Sequence, residues 1–102
     1  MAGVGTLIKQ ARKMQDKISG LQASLEARVI DVSHGGGAVK IKINGAGGFL
    51  DIALAPEFLK EDPKFVSETL LAAVREAADT AKKLHEDEMQ KATAGFQLPG
   101  LF

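Results

Sequence analysis

Apolar residues recur at a helical spacing through the first quarter of the chain. Intervals of four and three residues alternate along the positions Leu7, Ala11, Met14, Ile18, Leu21 and Leu25. A period of about 3.5 residues is typical of the seam along which one helix packs against another. The pattern therefore predicts a first helix that Thr6 can cap. A flexible segment is predicted before it at residues 1–5, which hold two glycines.

Alternating segments follow, and they predict three strands. The first ends at a turn of three consecutive glycines, Gly35–Gly37, which tolerate either sign of φ. The second alternates apolar and basic side chains from Val39 to Ile43, as a strand with one buried face does. Asn44-Gly45 is a strong hairpin signal before the third strand. Residues 26–55 are therefore predicted to form a three-stranded antiparallel meander.

A second, longer helix is predicted from its start signal. Asp62 before Pro63 combines a favoured N-cap residue with proline at the first helical position. Neither Gly nor Pro occurs from Lys64 to Ala94. Gly95 predicts the end of this helix, and the apolar segment Phe96–Phe102, which has no regular period, is predicted to be a flexible tail.

The element order predicts an α+β fold, α-β-β-β-α, in a single domain over residues 1–102. A helix of about 30 residues spans roughly 45 Å. A compact domain of this size has a radius of gyration of about 13 Å, so its diameter is smaller than the length of this helix. The long helix must therefore extend beyond its own domain. The overhanging parts need a partner, and we therefore predict a homodimer with projecting helical arms.

The predicted dimer interface lies on apolar faces of the second and third strands. Its residues are Val39, Ile41, Ile43, Leu50 and Ile52. In the third strand, alternation assigns Leu50 and Ile52 to one face and Phe49 to the other.

Composition narrows the functional classes. The 102 residues contain 13 basic and 13 acidic side chains, which give a formal net charge of zero, and no Cys, Trp or Tyr. The absence of Cys excludes a disulfide scaffold, a thiolate metal site and a cysteine nucleophile. No apolar run approaches the roughly 20 residues of a transmembrane helix, and no signal peptide is visible. We therefore expect no membrane role.

Few residues offer catalytic or metal-binding chemistry. His34 follows Ser33 directly, but chain neighbours rarely form a nucleophile–base pair, and a turn residue is the simpler interpretation. His85 lacks the second His of a zinc-binding helix, because Met89 occupies the position four residues later. The glycine-rich loop after the second strand precedes a strand, whereas phosphate-binding loops precede a helix. We therefore predict no enzyme, cofactor, metal or small-molecule substrate.

The basic residues are distributed unevenly. Residues 1–25 carry four positive charges and one negative charge. The positive ones lie away from the seam, at Lys9, Arg12, Lys13 and Lys17. Further cations near the end of the second helix are Lys82, Lys83 and Lys91, interspersed with Glu86–Glu88. A solvated helix face and a phosphate-binding face both fit this pattern. Contact with nucleic acid would be salt-sensitive and weakly sequence-specific.

Several segments, taken in order, resemble one known family. They are Leu7–Gln15, Gly35–Gly37, Val39–Gly45, Ala55–Leu59, Ala72–Ala77 and Gly95–Gly100. Together they resemble the YbaB/EbfC family of bacterial nucleoid-associated proteins over nearly the whole chain. Glu57-Phe58 differs from the small polar residue and Leu that are usual in the family. The acidic run Glu86–Glu88 weakens the second helix as a phosphate-binding element.

The resemblance implies a small cytoplasmic homodimer with a tweezer-like outline. It also implies double-stranded DNA as the partner, association with the nucleoid and effects on transcription. In the family the first and last helices are implicated in DNA contact. On this sequence the resemblance points first to Lys9, Arg12, Lys13 and Lys17, and then to Lys82, Lys83 and Lys91.

Two hypotheses follow. The leading one is a non-enzymatic nucleoid protein that binds duplex DNA through phosphate contacts. The alternative is a protein-interaction module, in which the seam and the apolar tail Phe96–Phe102 capture another protein and the Lys residues only keep the arms soluble. Salt dependence distinguishes the two, because phosphate contacts weaken with salt and apolar capture does not.

Overall fold

The computed structural model describes residues 2–94, and it has the predicted element order. The elements are helix α1 (Ala2–Ala27), strands β1 (Val29–His34), β2 (Val39–Asn44) and β3 (Phe49–Leu54), a 3₁₀ turn (Phe58–Lys60) and helix α2 (Pro63–Thr93). The Asp62 side chain accepts a hydrogen bond from the Lys64 backbone N–H at 3.2 Å, so the predicted N-cap of α2 is confirmed. Gly95 and the predicted tail at 96–102 lie outside the described residues.

Helix α1 begins earlier than predicted. It is helical from Ala2, so the segment 2–5 belongs to the helix and Thr6 lies inside its first two turns. The prediction of a flexible segment there was wrong because it gave too much weight to Gly3 and Gly5. Each glycine weakens a helix by about 1 kcal/mol, whereas lengthening an existing helix by one residue adds one hydrogen bond.

The three strands form the predicted antiparallel meander, in the order β1-β2-β3. All three residues of the β1–β2 turn, Gly35–Gly37, have positive φ, between 64° and 94°. Other residue types are strained in this region, so the turn explains the glycine run. In β2 the side chains of Val39, Ile41 and Ile43 are buried and those between them are exposed, as the alternation predicted.

Helix α2 packs on one face of β1 and β2, and this contact is the core of the molecule. Its contact residues Ala73, Ala77 and Ala81 are at most 1% exposed. Alanine side chains let the helix backbone approach the sheet closely. The alanine-rich stripe is therefore the packing surface of the helix, and the larger strand residues fill the space between the two layers.

Gly45 connects the end of α1 to the β2–β3 loop. Its N–H donates to the carbonyls of Leu25, at 2.8 Å, and Arg28, at 3.0 Å. A Cβ atom at Gly45 would lie 2.9 Å from both Cδ2 and the carbonyl oxygen of Leu25. Glycine is required here by this close approach, and Gly47, with φ of 92°, supplies the turn.

The described part of the molecule is elongated. Its principal extents are 71 × 24 × 16 Å and its radius of gyration is 19.8 Å, against about 13 Å for a compact domain of 100 residues. The predicted overhang of the helices is therefore confirmed. No helix within residues 2–94 is long and apolar enough to cross a membrane.

Candidate nucleic-acid interface

An arm of two helices projects from the sheet. Leu25 is 1% exposed where α1 leaves the sheet. Farther out, Lys17 and Leu21 line a groove with Glu88, Lys91 and Ala92 of α2. Positions nearer the start of α1 therefore meet positions nearer the end of α2, so the two helices are antiparallel. Part of the predicted seam is thus used to pack α1 against α2 of the same chain.

The four basic residues of α1 are exposed along this arm. Lys9, Lys13 and Lys17 are four residues apart, which places them in one row about 12 Å long at about 1.5 Å per residue. Arg12 is exposed beside this row, and Asp16 is the one acidic residue of α1 before Glu26. The structure thus brings all four predicted cations of α1 onto one side of the helix.

The predicted cations of α2 do not form a single patch. Lys91 lies beside Lys17 and makes an ion pair with Glu88 at 3.7 Å. Lys82 lines a different groove, next to the β2–β3 loop and His85. Lys83 follows the buried Ala81 by two residues, so it lies on the side of α2 opposite to Ala81. Of the three, only Lys91 joins the basic side of the arm.

The glycine-rich β2–β3 loop satisfies its own N–H groups. Asn44 Oδ1 accepts hydrogen bonds from the N–H groups of Ala46, at 3.0 Å, and Gly48, at 2.8 Å. The Gly47 N–H donates to the Asn44 carbonyl oxygen at 3.0 Å. These donors are therefore engaged within the hairpin and do not form a cradle for phosphate.

The two histidines lie apart from each other and from the basic row. The His34 Nδ1 is 2.7 Å from Glu76 Oε2, a contact that connects the end of β1 to α2. His85 lines the groove beside the β2–β3 loop. Within residues 2–94 there is no group of three or more His, Asp or Glu side chains arranged to hold a metal ion.

The three β2 residues of the predicted dimer interface lie in the core of their own chain. Val39, Ile41 and Ile43 are at most 1% exposed, because α2 of the same chain covers them. The sequence pattern shows that one face of a strand is buried, but it does not show which element buries it. Leu50 and Ile52 of β3 remain 52% and 45% exposed, respectively.

The assignment of Phe49 to the other face of β3 was wrong, and a β-bulge is the reason. The register shifts between Lys42 and Ile43, so Phe49 pairs with Ile43 and Ile52 with Ile41. Opposed residues of antiparallel strands share a face, so Phe49 lies on the face of the sheet that carries the core. The extra residue, Leu50, interrupts the alternation of side chains between the two faces of β3. Phe49, Leu50 and Ile52, each about half exposed, form an apolar β3 patch beside α2.

The chain is similar to known proteins both in sequence and in fold. A model of the YbaB/EbfC DNA-binding family matches residues 1–96. A nucleoid-associated protein of Caldicellulosiruptor bescii is 47% identical over 100 residues, which cover 97% of this chain and 88% of that protein. One from Alkaliphilus metalliredigens is 36% identical over 100 residues, with the same coverage.

A solved structure with a similar fold is that of the uncharacterized protein HP0035 from Helicobacter pylori. The TM-score is 0.70 at 21% identity, and the match covers 95% of this chain and 97% of that one. At this identity the similarity concerns the fold, and it agrees with the α-β-β-β-α order described above.

Proposed function

The chain belongs to the YbaB/EbfC DNA-binding family, and we propose that it binds duplex DNA as a homodimer through phosphate contacts made by the basic side of α1. Its relatives carry the name nucleoid-associated protein, which supports the bacterial nucleoid as its place of action. The DNA-binding description of the family also fits the hypothesis of a non-enzymatic protein.

The observation that carries the proposal is the exposed row of cations on a projecting arm. Ammonium groups at Lys9, Lys13 and Lys17 can each meet a phosphate oxygen and release counterions from the duplex. The Arg12 guanidinium adds a bidentate donor beside them. Contacts of this kind position the protein but carry no sequence information, so we infer low sequence specificity.

The β3 patch supports a homodimer. Phe49, Leu50 and Ile52 are apolar, adjacent and about half exposed, and α2 packs mainly on the other two strands. A second copy that covers this patch removes its apolar surface from water. The dimer then presents two arms, so the basic row occurs twice in a tweezer-like outline. Occupancy of DNA by such a dimer is the route by which it would affect transcription.

The α1 cations are tested by charge reversal. We expect the triple variant Lys9→Glu, Arg12→Glu, Lys13→Glu to lose DNA binding in a low-salt mobility shift. With the wild-type protein, the slope of log K against log salt should include about 0.9 for each phosphate contact. Single Lys9→Gln or Lys13→Gln variants should reduce this slope by about that amount.

A control variant with the same change in net charge distinguishes the loss of direct DNA contacts from a general effect of net charge on binding. Lys40, Lys64 and Arg75 are exposed and lie on β2 and in the first half of α2, away from the arm. Their triple Glu variant should retain most of the DNA affinity. Equal losses in both triple variants, or none in the first, would refute the assignment of the site.

A further inference from the structure

A groove at the far end of the sheet is occupied by no part of the described chain. It has a volume of about 380 Å³ and is lined by residues that include Gly35, Glu57, Phe58, Glu61, Phe65 and Thr69. Phe58 is buried at 6% exposure, whereas Phe65 is 51% exposed. The two rings meet edge to face with centroids 6.2 Å apart. The groove therefore has an aromatic wall that is half open to solvent.

Carboxylates lie beside this aromatic wall. Glu57 is paired with Lys60 at 3.2 Å, on the exposed surface. Glu61 makes no ion pair among residues 2–94. We name this site the acidic groove. An occupant that combines an apolar side chain with a cation matches both of its features.

The start of α1 carries such a combination. Val4 and Ile8 are 59% and 51% exposed, and neither belongs to the seam that packs α1 on α2. Val4, Ile8 and Arg12 are spaced by four residues, so they form one strip along the helix. We name residues 3–12 the α1 tip.

We propose that the α1 tip of one copy binds in the acidic groove of another copy. Val4 and Ile8 contact Phe65, and the Arg12 guanidinium pairs with the Glu61 carboxylate. The contact joins two chains, because the tip and the groove lie at opposite ends of a molecule 71 Å long. The groove adjoins the β1–β2 turn, whereas α1 leaves the sheet beside the β2–β3 loop.

The proposed contact joins two different surfaces, so it is a head-to-tail contact. Such association forms a closed ring or an open chain, depending on the rotation between neighbouring copies. This interface is separate from the β3 patch and does not depend on DNA binding. Since Arg12 belongs to both surfaces, DNA and the groove compete for it.

Cross-linking tests the pairing directly, because the protein contains no Cys. Val4→Cys and Thr69→Cys variants are mixed and treated with a short bifunctional maleimide. We expect a cross-linked product that requires both variants. Mixing Val4→Cys with Ala53→Cys, on the outer face of the sheet, provides the matched control. The proposal is overturned if Val4→Cys alone gives the same yield of cross-linked product. It is also overturned if Val4→Cys and Thr69→Cys give no product together.

Sedimentation without DNA gives an independent test. The average mass of the wild-type protein should rise with concentration at about 50 mM salt and fall at about 1 M, where charges beyond roughly 3 Å are screened. Ile8→Ser or Glu61→Lys should weaken this association about tenfold or more, as for the loss of one anchor. Both single variants should still shift DNA, because neither residue lies in the basic row.

The reciprocal charge exchange provides the decisive comparison. Arg12→Glu should weaken association as Glu61→Lys does, and the double variant should restore it by pairing the charges in reverse. Equal association of Glu61→Lys and wild type, or no recovery in the double variant, refutes the contact. Failure of the wild-type protein to bind DNA, with its association intact, would instead refute only the proposed function.

Discussion

At the scale of single residues, the smallest side chains determine how the elements meet. Gly45 lets the β2–β3 loop donate to the Leu25 carbonyl at 2.8 Å, and this connects the arm to the sheet. The same residue was predicted as a hairpin signal from the Asn44-Gly45 pair. The hairpin is present, but the positive φ belongs to Gly47. The sequence therefore indicated the turn correctly while the main reason for this glycine is a tertiary contact.

Gly45→Ala should destabilise the protein by about 1–3 kcal/mol, because the new methyl group would clash with the Leu25 backbone. Urea unfolding measures the change. Gly20→Ala is the matched control, since a Cβ there meets nothing within 4 Å. It should stabilise α1 by up to about 1 kcal/mol. Shifts of the same sign in both variants would contradict this account.

At the scale of elements, α2 performs two tasks along its length. Its stretch from Ala73 to Ala81 packs three buried alanines on the sheet, and its last turns accompany α1 in the arm. The stripe holds small residues because the helix backbone lies close to the sheet at these positions.

Ala77→Leu should overpack the interface between α2 and the sheet, because Ala77 is fully buried there. The expected loss is about 1–3 kcal/mol. For a domain of this size, each 1 kcal/mol lowers Tm by about 4–8 °C. Ala72→Leu, on the exposed side of the same helix, should leave Tm nearly unchanged. A calorimetric melt of both variants checks this, and similar Tm values for the two would refute the packing role.

At the scale of the whole molecule, elongation exposes surface that a compact domain would bury. Helix lengths alone predicted this overhang and, with it, a partner. The choice of the surface proposed for that partner depends on the structure, because α2 covers β2 and leaves the β3 patch uncovered. The proposed homodimer therefore uses Leu50 and Ile52 from the predicted set and adds Phe49.

Leu50→Glu with Ile52→Glu should convert the dimer to a monomer, because two carboxylates would be buried in an apolar contact. Both side chains are about half exposed in the chain itself, so the fold should survive. Ala53→Glu, on the outer face of β3, is the control. Sedimentation at high salt measures the mass, and circular dichroism the fold. A double variant that remains a dimer would exclude the β3 patch.

The local elements and the cations of the arm were determined by the sequence itself. The hydrophobic periodicity, the Asp62-Pro63 start and the glycine turn are local signals. Each depends only on residues that are close together in the chain. The grouping of Lys9, Arg12, Lys13 and Lys17 follows from helical geometry in the same way. Residues 95–102 lie outside the described structure, so the hypothesis of an apolar capturing tail stays a prediction.

Only the tertiary structure decided which apolar residues are used inside the chain and which remain free. Val39 and Ile52 have the same local pattern, yet one is covered by α2 and the other is not. The shift of Phe49 onto the core face also depends on how β3 pairs with β2. Which element covers an apolar face depends on contacts between segments distant in sequence, so no local pattern can specify it.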